Sequence, residues 1–191
     1  MKIKIGFFTI MFALSLILSH SLFSLASLLA ALTHELGHIL VAAVCRIRLK
    51  ECKIGIYGAG LIPEGHLFSY RKEILLCSAG PLVNLALGSV GLWGYRQASS
   101  DFLLWFSISS FVLGMMNLLP IKDFDGGRIL RSLLCLRISM RSADGILQAL
   151  SFFFIFTLWC FSVYLLLRAS SSLSLFIFSI SLFVRIFIPE K

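Results

Sequence analysis

Residues 34–38 read His-Glu-Leu-Gly-His. On a helix, positions i and i+4 lie one turn apart on the same face, so the imidazoles of His34 and His38 can reach one metal ion. Glu35 falls beside that face, placed to take a proton from a water molecule and later pass it to a leaving amine. The bland alternative is a pair of core histidines with a charge near a helix end. It is weakened by the surroundings: the motif sits within the apolar run Leu22–Val44, and ionisable residues inside a membrane span are costly and usually functional.

Two histidines do not complete a catalytic zinc site, which typically takes three protein ligands and keeps a fourth position for water. The HxxGxxH continuation is absent, because Val41 and Val44 stand where Gly and His would be needed. A third ligand must come from elsewhere, and Glu51, Glu64, Glu73, Asp123, Asp125, Asp144 and His66 compete for the place. Glu64 lies 26 residues beyond His38, a plausible soluble-metalloprotease spacing. Cys45 shares the helix face of His38 but lies about 10 Å further along it.

Asp125 is the better candidate. It follows Asn117-Leu118-Leu119-Pro120-Ile121-Lys122-Asp123-Phe124 and precedes Gly126-Gly127. Pro120 breaks a helix, and the glycines allow close backbone approach. Non-helical backbone at membrane depth is tolerated only around a protein-lined or wet cavity. A carboxylate buried there needs a cation. The structural alternative for Asp125 is an N-cap on the helix that follows.

The elements that must position these residues are membrane spans. The chain has 191 residues, 59% hydrophobic and 14% charged, against about 45–50% and about 25% in soluble domains. A soluble domain of this size cannot hide that much apolar surface. The same figures exclude a disordered chain, a collagen, a coiled coil and a disulfide scaffold. The net charge of +8 could suggest a nucleic-acid binder, but the basic residues edge apolar runs, so no nucleic-acid partner is expected. The five cysteines form no CxxC pair and imply neither a redox nor a zinc-knuckle motif.

A span needs roughly 20 apolar residues, and six candidates are read: Ile5–Leu18, Leu22–Val44, Ile74–Tyr95, Phe102–Leu119, Ile146–Leu167 and Leu173–Ile188. The first could be a signal peptide cleaved after Ser24-Leu25-Ala26, but cleavage would truncate the next helix just before His34, so an uncleaved anchor is expected. With both termini inside, all but Arg96 and Arg168 of the 17 lysines and arginines fall on inner segments, a strong positive-inside signal. Two inner loops remain. The first, Cys45 to Glu73, carries a Gly-rich turn between apolar residues at Ile54–Pro63 that reads as a hairpin. The second, Ile121 to Gly145, is expected to hold a short helix, Arg128–Arg137.

Taken together, His34-Glu35-Leu36-Gly37-His38, Ser78-Ala79-Gly80-Pro81-Leu82-Val83-Asn84 and the Asn117…Pro120…Asp125-Gly126 element resemble the site-2 protease family of intramembrane zinc metalloproteases. The resemblance covers three spans, about Leu22–Leu133, and its layout is similar to the stage IV sporulation protease branch. It implies one zinc ion on His34, His38 and Asp125, with Glu35 as general base. It also implies that Asn117 and Pro120 hold a substrate strand and that the loop around Ile54–Ile62 is a membrane-associated hairpin. No PDZ module and no nucleotide-sensing CBS domain are expected within the chain, and Lys122-Asp123-Phe124 is more charged than the family's usual approach to the Asp-Gly pair.

The expected fold is an all-α membrane protein: a helical bundle of about six transmembrane helices with a small hairpin loop, forming one domain over residues 1–191 with its catalytic core at 22–133. The expected function is hydrolysis of a peptide bond in or near a transmembrane segment of a client protein, in a bacterial cytoplasmic membrane. A membrane-embedded regulator or a second copy of the chain is a further expected partner. Two other classes fit these residues less well. A metal transporter needs ligands leading to the outer face, and only His34, Glu35 and His38 lie within span interiors. A non-catalytic helix-binding scaffold would have no use for an intact HExxH.

Overall fold

The computed structural model describes residues 2–5, 21–47, 49–55, 58–63, 69–169 and 173–187. The chain divides into two compact units, Met1–Leu118 and Leu119–Lys191.

In the first unit, strand β1 (Lys2–Ile5) precedes helix α1 (Leu22–Val44), a hairpin of β2 (Leu49–Gly55) and β3 (Gly58–Pro63), and helices α2 (Tyr70–Ala98) and α3 (Asp101–Asn117). The α1 span stands as the sequence bounds it. The hairpin also stands: β2 and β3 pair antiparallel from Leu49↔Pro63 to Gly55↔Gly58. The pairing of β1 with β2, parallel from Lys2↔Glu51 to Ile5↔Ile54, is a strand the sequence reading did not anticipate. Parallel neighbours need a long crossover, and α1 lies within it. Of the expected span Ile5–Leu18, Ile5 closes β1 and the remainder lies outside the described residues.

The helices of this unit reverse the pattern of a soluble protein. The buried stripe of α1 is Ser24, Ala26, Ala30, His34, Gly37, His38 and Ala42, all but the histidines small. The opposite face exposes Leu25, Leu29, Leu32, Leu36 and Leu40. A row of bare leucines is untenable in water, whereas small residues inside and large apolar ones outside suit a helix in lipid. The buried stripe of α2 includes Cys77, Gly80, Pro81, Asn84, Gly88 and Gly91. A Cβ on Gly88 would lie 3.3 Å from both Ser107 O and Ser110 Cβ of α3. Side chains at these positions would push the helices apart. Ala26 and Ala30 pack on Phe106, and Ser27 Oγ bonds Ser109 Oγ at 3.0 Å.

The second unit holds α4 (Asp125–Cys135), α5 (Met140–Ala169) and α6 (Leu173–Phe187). After Pro120 the backbone turns through Ile121 N–H to Leu119 O (2.8 Å) and Phe124 N–H to Ile121 O (2.9 Å). The Lys122 amide is taken up by Ser151 Oγ at 2.9 Å. This turn closes so tightly that a Cβ on Gly127 would collide with the Ile121 carbonyl. The short helix begins three residues earlier than the expected Arg128 and ends at Cys135. Helices α5 and α6 meet through Phe152 and Phe183, ring centroids 6.0 Å apart, and through Ser162 Oγ and Ser179 Oγ at 3.1 Å.

Among the described residues, three helices are long and apolar enough to cross a membrane: Leu22–Val44, Tyr70–Ala98 and Met140–Arg168. The segments Asp101–Asn117 and Leu175–Val184 are apolar but shorter. The expected count of about six thus resolves into three full-length helices, two short ones and one segment outside the described residues.

Candidate metal centre

Both histidines of the motif are buried, His34 at 5% and His38 at 4% exposure. Their Nε2 atoms converge to 3.2 Å, with ring centroids 4.9 Å apart and planes at 82°. Two nitrogens on one tetrahedral zinc, each about 2.0–2.1 Å from the ion, stand about 3.4 Å apart. The spacing predicted from the helical repeat is therefore realised in the side chains.

Helix α2 holds the rings there. His38 Nδ1 lies 2.7 Å from Leu76 O. A carbonyl can only accept, so Nδ1 carries the proton and Nε2 is the acceptor nitrogen. Pro81 sits inside α2, where it has no N–H to give the carbonyl four residues back, that of Cys77. His34 Nδ1 lies 3.3 Å from the Asn84 side-chain amide. Metal-bound histidines nearly always have the second ring nitrogen engaged in this way.

The rings have room because two glycines face each other across the seam. A Cβ on Gly37 would approach Ala79 O at 3.0 Å, and one on Gly80 would meet both imidazoles, His34 Nε2 at 2.8 Å. At 3.2 Å the two Nε2 atoms are close enough to share a proton or a cation. The donor set therefore fits zinc. In that case His34 and His38 would hold the ion, which when bound supplies Lewis-acid polarisation of a carbonyl and acidification of water.

Glu35 is half-buried, one residue along from His34. Asp125 is half-buried at the first position of α4. The residue at the N-cap is Phe124, with no side-chain cap hydrogen bond. The N-cap alternative for Asp125 is therefore not what forms. His34 and His38 belong to the first unit and Asp125 to the second, and each offers a ligand atom of the kind zinc takes.

The competing ligands fall elsewhere. Asp144 pairs with Arg131, Oδ1 to Nε at 2.5 Å. Asp123 is exposed, Glu73 stands in the first turn of α2 and Cys45 caps the end of α1. Glu64 and His66 lie outside the described residues, and of Glu51 only the backbone, in β2, is described. Asn117 turns its amide back on α3, donating to Leu113 O at 3.0 Å. Pro120 opens the turn ahead of α4 and is half-buried. The contributions of Gly80, Leu76 and Asn84 to the histidine pair were not singled out from sequence. The signal for Gly80 and Asn84 was the run Ser78–Asn84, in which a polar Asn and a Gly-Pro pair interrupt an apolar span; Leu76 acts through its backbone carbonyl, for which the sequence carries no signal.

Residues 95–158 match the family described as peptidase family M50, a stretch that contains Asn117, Pro120 and Asp125. The site-2 protease resemblance holds. Stage IV sporulation protein FB of Bacillus subtilis is 29% identical over 182 residues, covering 93% of this chain and 63% of that protein. A zinc metalloprotease of Methanocaldococcus jannaschii is 32% identical over 106 residues, 53% of this chain and 31% of that one. The chain thus spans less than two thirds of the length of these relatives. In fold it matches a site-2 protease from Methanocaldococcus jannaschii with a TM-score of 0.66 and 21% identity, covering 99% of this chain and 92% of that chain.

Proposed function

We propose that the protein is an intramembrane zinc metalloprotease that cleaves a peptide bond in or near a transmembrane segment of a client protein. The observation that carries this reading is the pair of buried imidazoles, Nε2 atoms 3.2 Å apart, on a helix apolar enough to cross a membrane. One zinc ion would be held by His34, His38 and Asp125. Asp125 balances part of the ion's charge, which two neutral imidazoles leave uncompensated.

Glu35 is the general base. Its carboxylate takes the proton of the attacking water and returns it to the amine that leaves, so one group serves both halves of the hydrolysis. Asn117 and Pro120 hold the client segment in extended form, which exposes a peptide bond that a helix would keep hydrogen-bonded. The protein lies in a bacterial cytoplasmic membrane with both termini inside, in keeping with its basic inner segments. Its partners are the client helix, the bilayer and either a membrane-embedded regulator or a second copy.

The test is Glu35→Gln in the reconstituted protein with a membrane-spanning reporter. Zinc content should stay at the wild-type level while cleavage falls by about 10²–10⁴-fold. Unchanged cleavage in a preparation free of other proteases would sink the proposal. Clients retained by Glu35→Gln and identified by mass spectrometry then name the substrate.

A further inference from the structure

Asn84 is fully buried in α2, and which of its amide atoms faces His34 decides what it does there. Its amide has two polar neighbours on α1: His34 Nδ1, 3.3 Å from Nδ2, and Thr33 Oγ1, 3.3 Å from Oδ1. Thr33 has a nearer acceptor, the Ala30 carbonyl at 3.0 Å. A hydroxyl has one proton to donate. Once it is committed to Ala30, Thr33 Oγ1 becomes an acceptor and its complement is the amide NH₂ of Asn84.

A side-chain amide has nearly the same shape with oxygen and nitrogen exchanged, so a half-turn fits the same space. It then gives each of these three contacts one donor and one acceptor: Asn84 N–H donates to Thr33 Oγ1, Thr33 O–H to Ala30 O, and His34 Nδ1–H to Asn84 Oδ1. A neutral imidazole has one N–H, so His34 Nε2 becomes the acceptor nitrogen. His38 reaches the same tautomer through the Leu76 carbonyl. Helix α3 packs close to the stem of Asn84, since a Cβ on Gly114 would lie 3.4 Å from Asn84 Cβ.

We infer that Asn84 is a positioning residue of the metal centre: its amide oxygen accepts the Nδ1 proton of His34 and so fixes the tautomer that offers Nε2 to the ion. This rests on the zinc reading and deepens it. The competing role for a buried Asn between helices is interhelical hydrogen bonding that stabilises the fold alone.

The two roles rank substitutions oppositely. Asn84→Leu keeps the volume and removes the acceptor, whereas Asn84→Asp keeps an acceptor oxygen and adds a buried acid. Zinc affinity of the full chain in detergent, measured by competition with a chelator, is expected to fall about 10- to 100-fold in Asn84→Leu and to stay within a few-fold of wild type in Asn84→Asp. Wild-type affinity in Asn84→Leu, or weaker binding by Asn84→Asp than by Asn84→Leu, overturns the inference and leaves the zinc reading standing. A wild-type chain that binds no zinc overturns both. Should Asn84→Leu fail to fold, Thr33→Val carries the test: the amide loses the hydroxyl that orients it, a several-fold loss is expected, and unchanged affinity overturns the inference.

Discussion

The seam between α1 and α2 and the pair α5–α6 are both helix-on-helix contacts in an apolar chain, but they use different residues. At the seam Gly37, Ala79 and Gly80 let two backbones approach until only the imidazoles fit between them. In α5 and α6 the buried side chains include Leu147, Ile155 and Leu182, with Phe152 against Phe183. Large flexible side chains fill space and can shift when a neighbour changes. Backbone in contact with backbone cannot, and that stiffness holds two ring nitrogens at a metal-binding separation. The seam should therefore be brittle in metal binding, and the α5–α6 pair should be tolerant.

Gly80→Ala is the largest expected effect. In an ordinary helix this change is favourable by about 1 kcal/mol. Here the added methyl occupies the place of the imidazole nitrogens, and zinc content by atomic absorption is expected to drop to background. Full zinc in this variant would break the comparison. Asp125→Asn follows, with zinc and activity sharply lowered, while Glu64→Gln leaves metal content nearly unchanged. Full zinc in Asp125→Asn together with loss in Glu64→Gln would move the third ligand to the loop.

Gly91→Ala sharpens the comparison by separating packing from chemistry. Its Cβ would meet Ser107 Oγ at 2.6 Å, away from the histidines. Stability in a detergent unfolding titration is expected to fall by about 1–3 kcal/mol, with zinc retained. Ser162→Ala, which removes the hydroxyl bond between α5 and α6, should cost about 0.6 kcal/mol and leave zinc untouched. A loss of metal in Ser162→Ala would show the tolerant region to be as exacting as the seam.

The residue types of the centre were legible in the sequence because they rest on local spacing. The helical repeat places His34 and His38 on one face whatever surrounds them. Glycines flanking Ile56-Tyr57 announce the hairpin, and α1 begins and ends where its apolar run does. What was hidden depends on contact between distant segments. Asn84 lies 50 residues from His34, and no periodicity reports that the two meet. The β1 strand was hidden for a similar reason: Lys2 and Lys4 read as the basic flank of a span, and only pairing with β2 makes them a strand. The first position of α4 was missed because Asp before a helix resembles a cap, whereas Phe124 takes that place.

Helix α3 has 17 residues, about 26 Å at 1.5 Å per residue, against a hydrocarbon core of about 30 Å. As a membrane span it falls short, and a short span is met by local thinning of the bilayer. Hydrolysis consumes one water for every bond broken, in a medium that holds almost none. For the hydrolysis proposed above, a span shorter than the hydrocarbon core would bring the aqueous phase nearer, so the length of α3 would bear on the supply of a reactant as well as on packing.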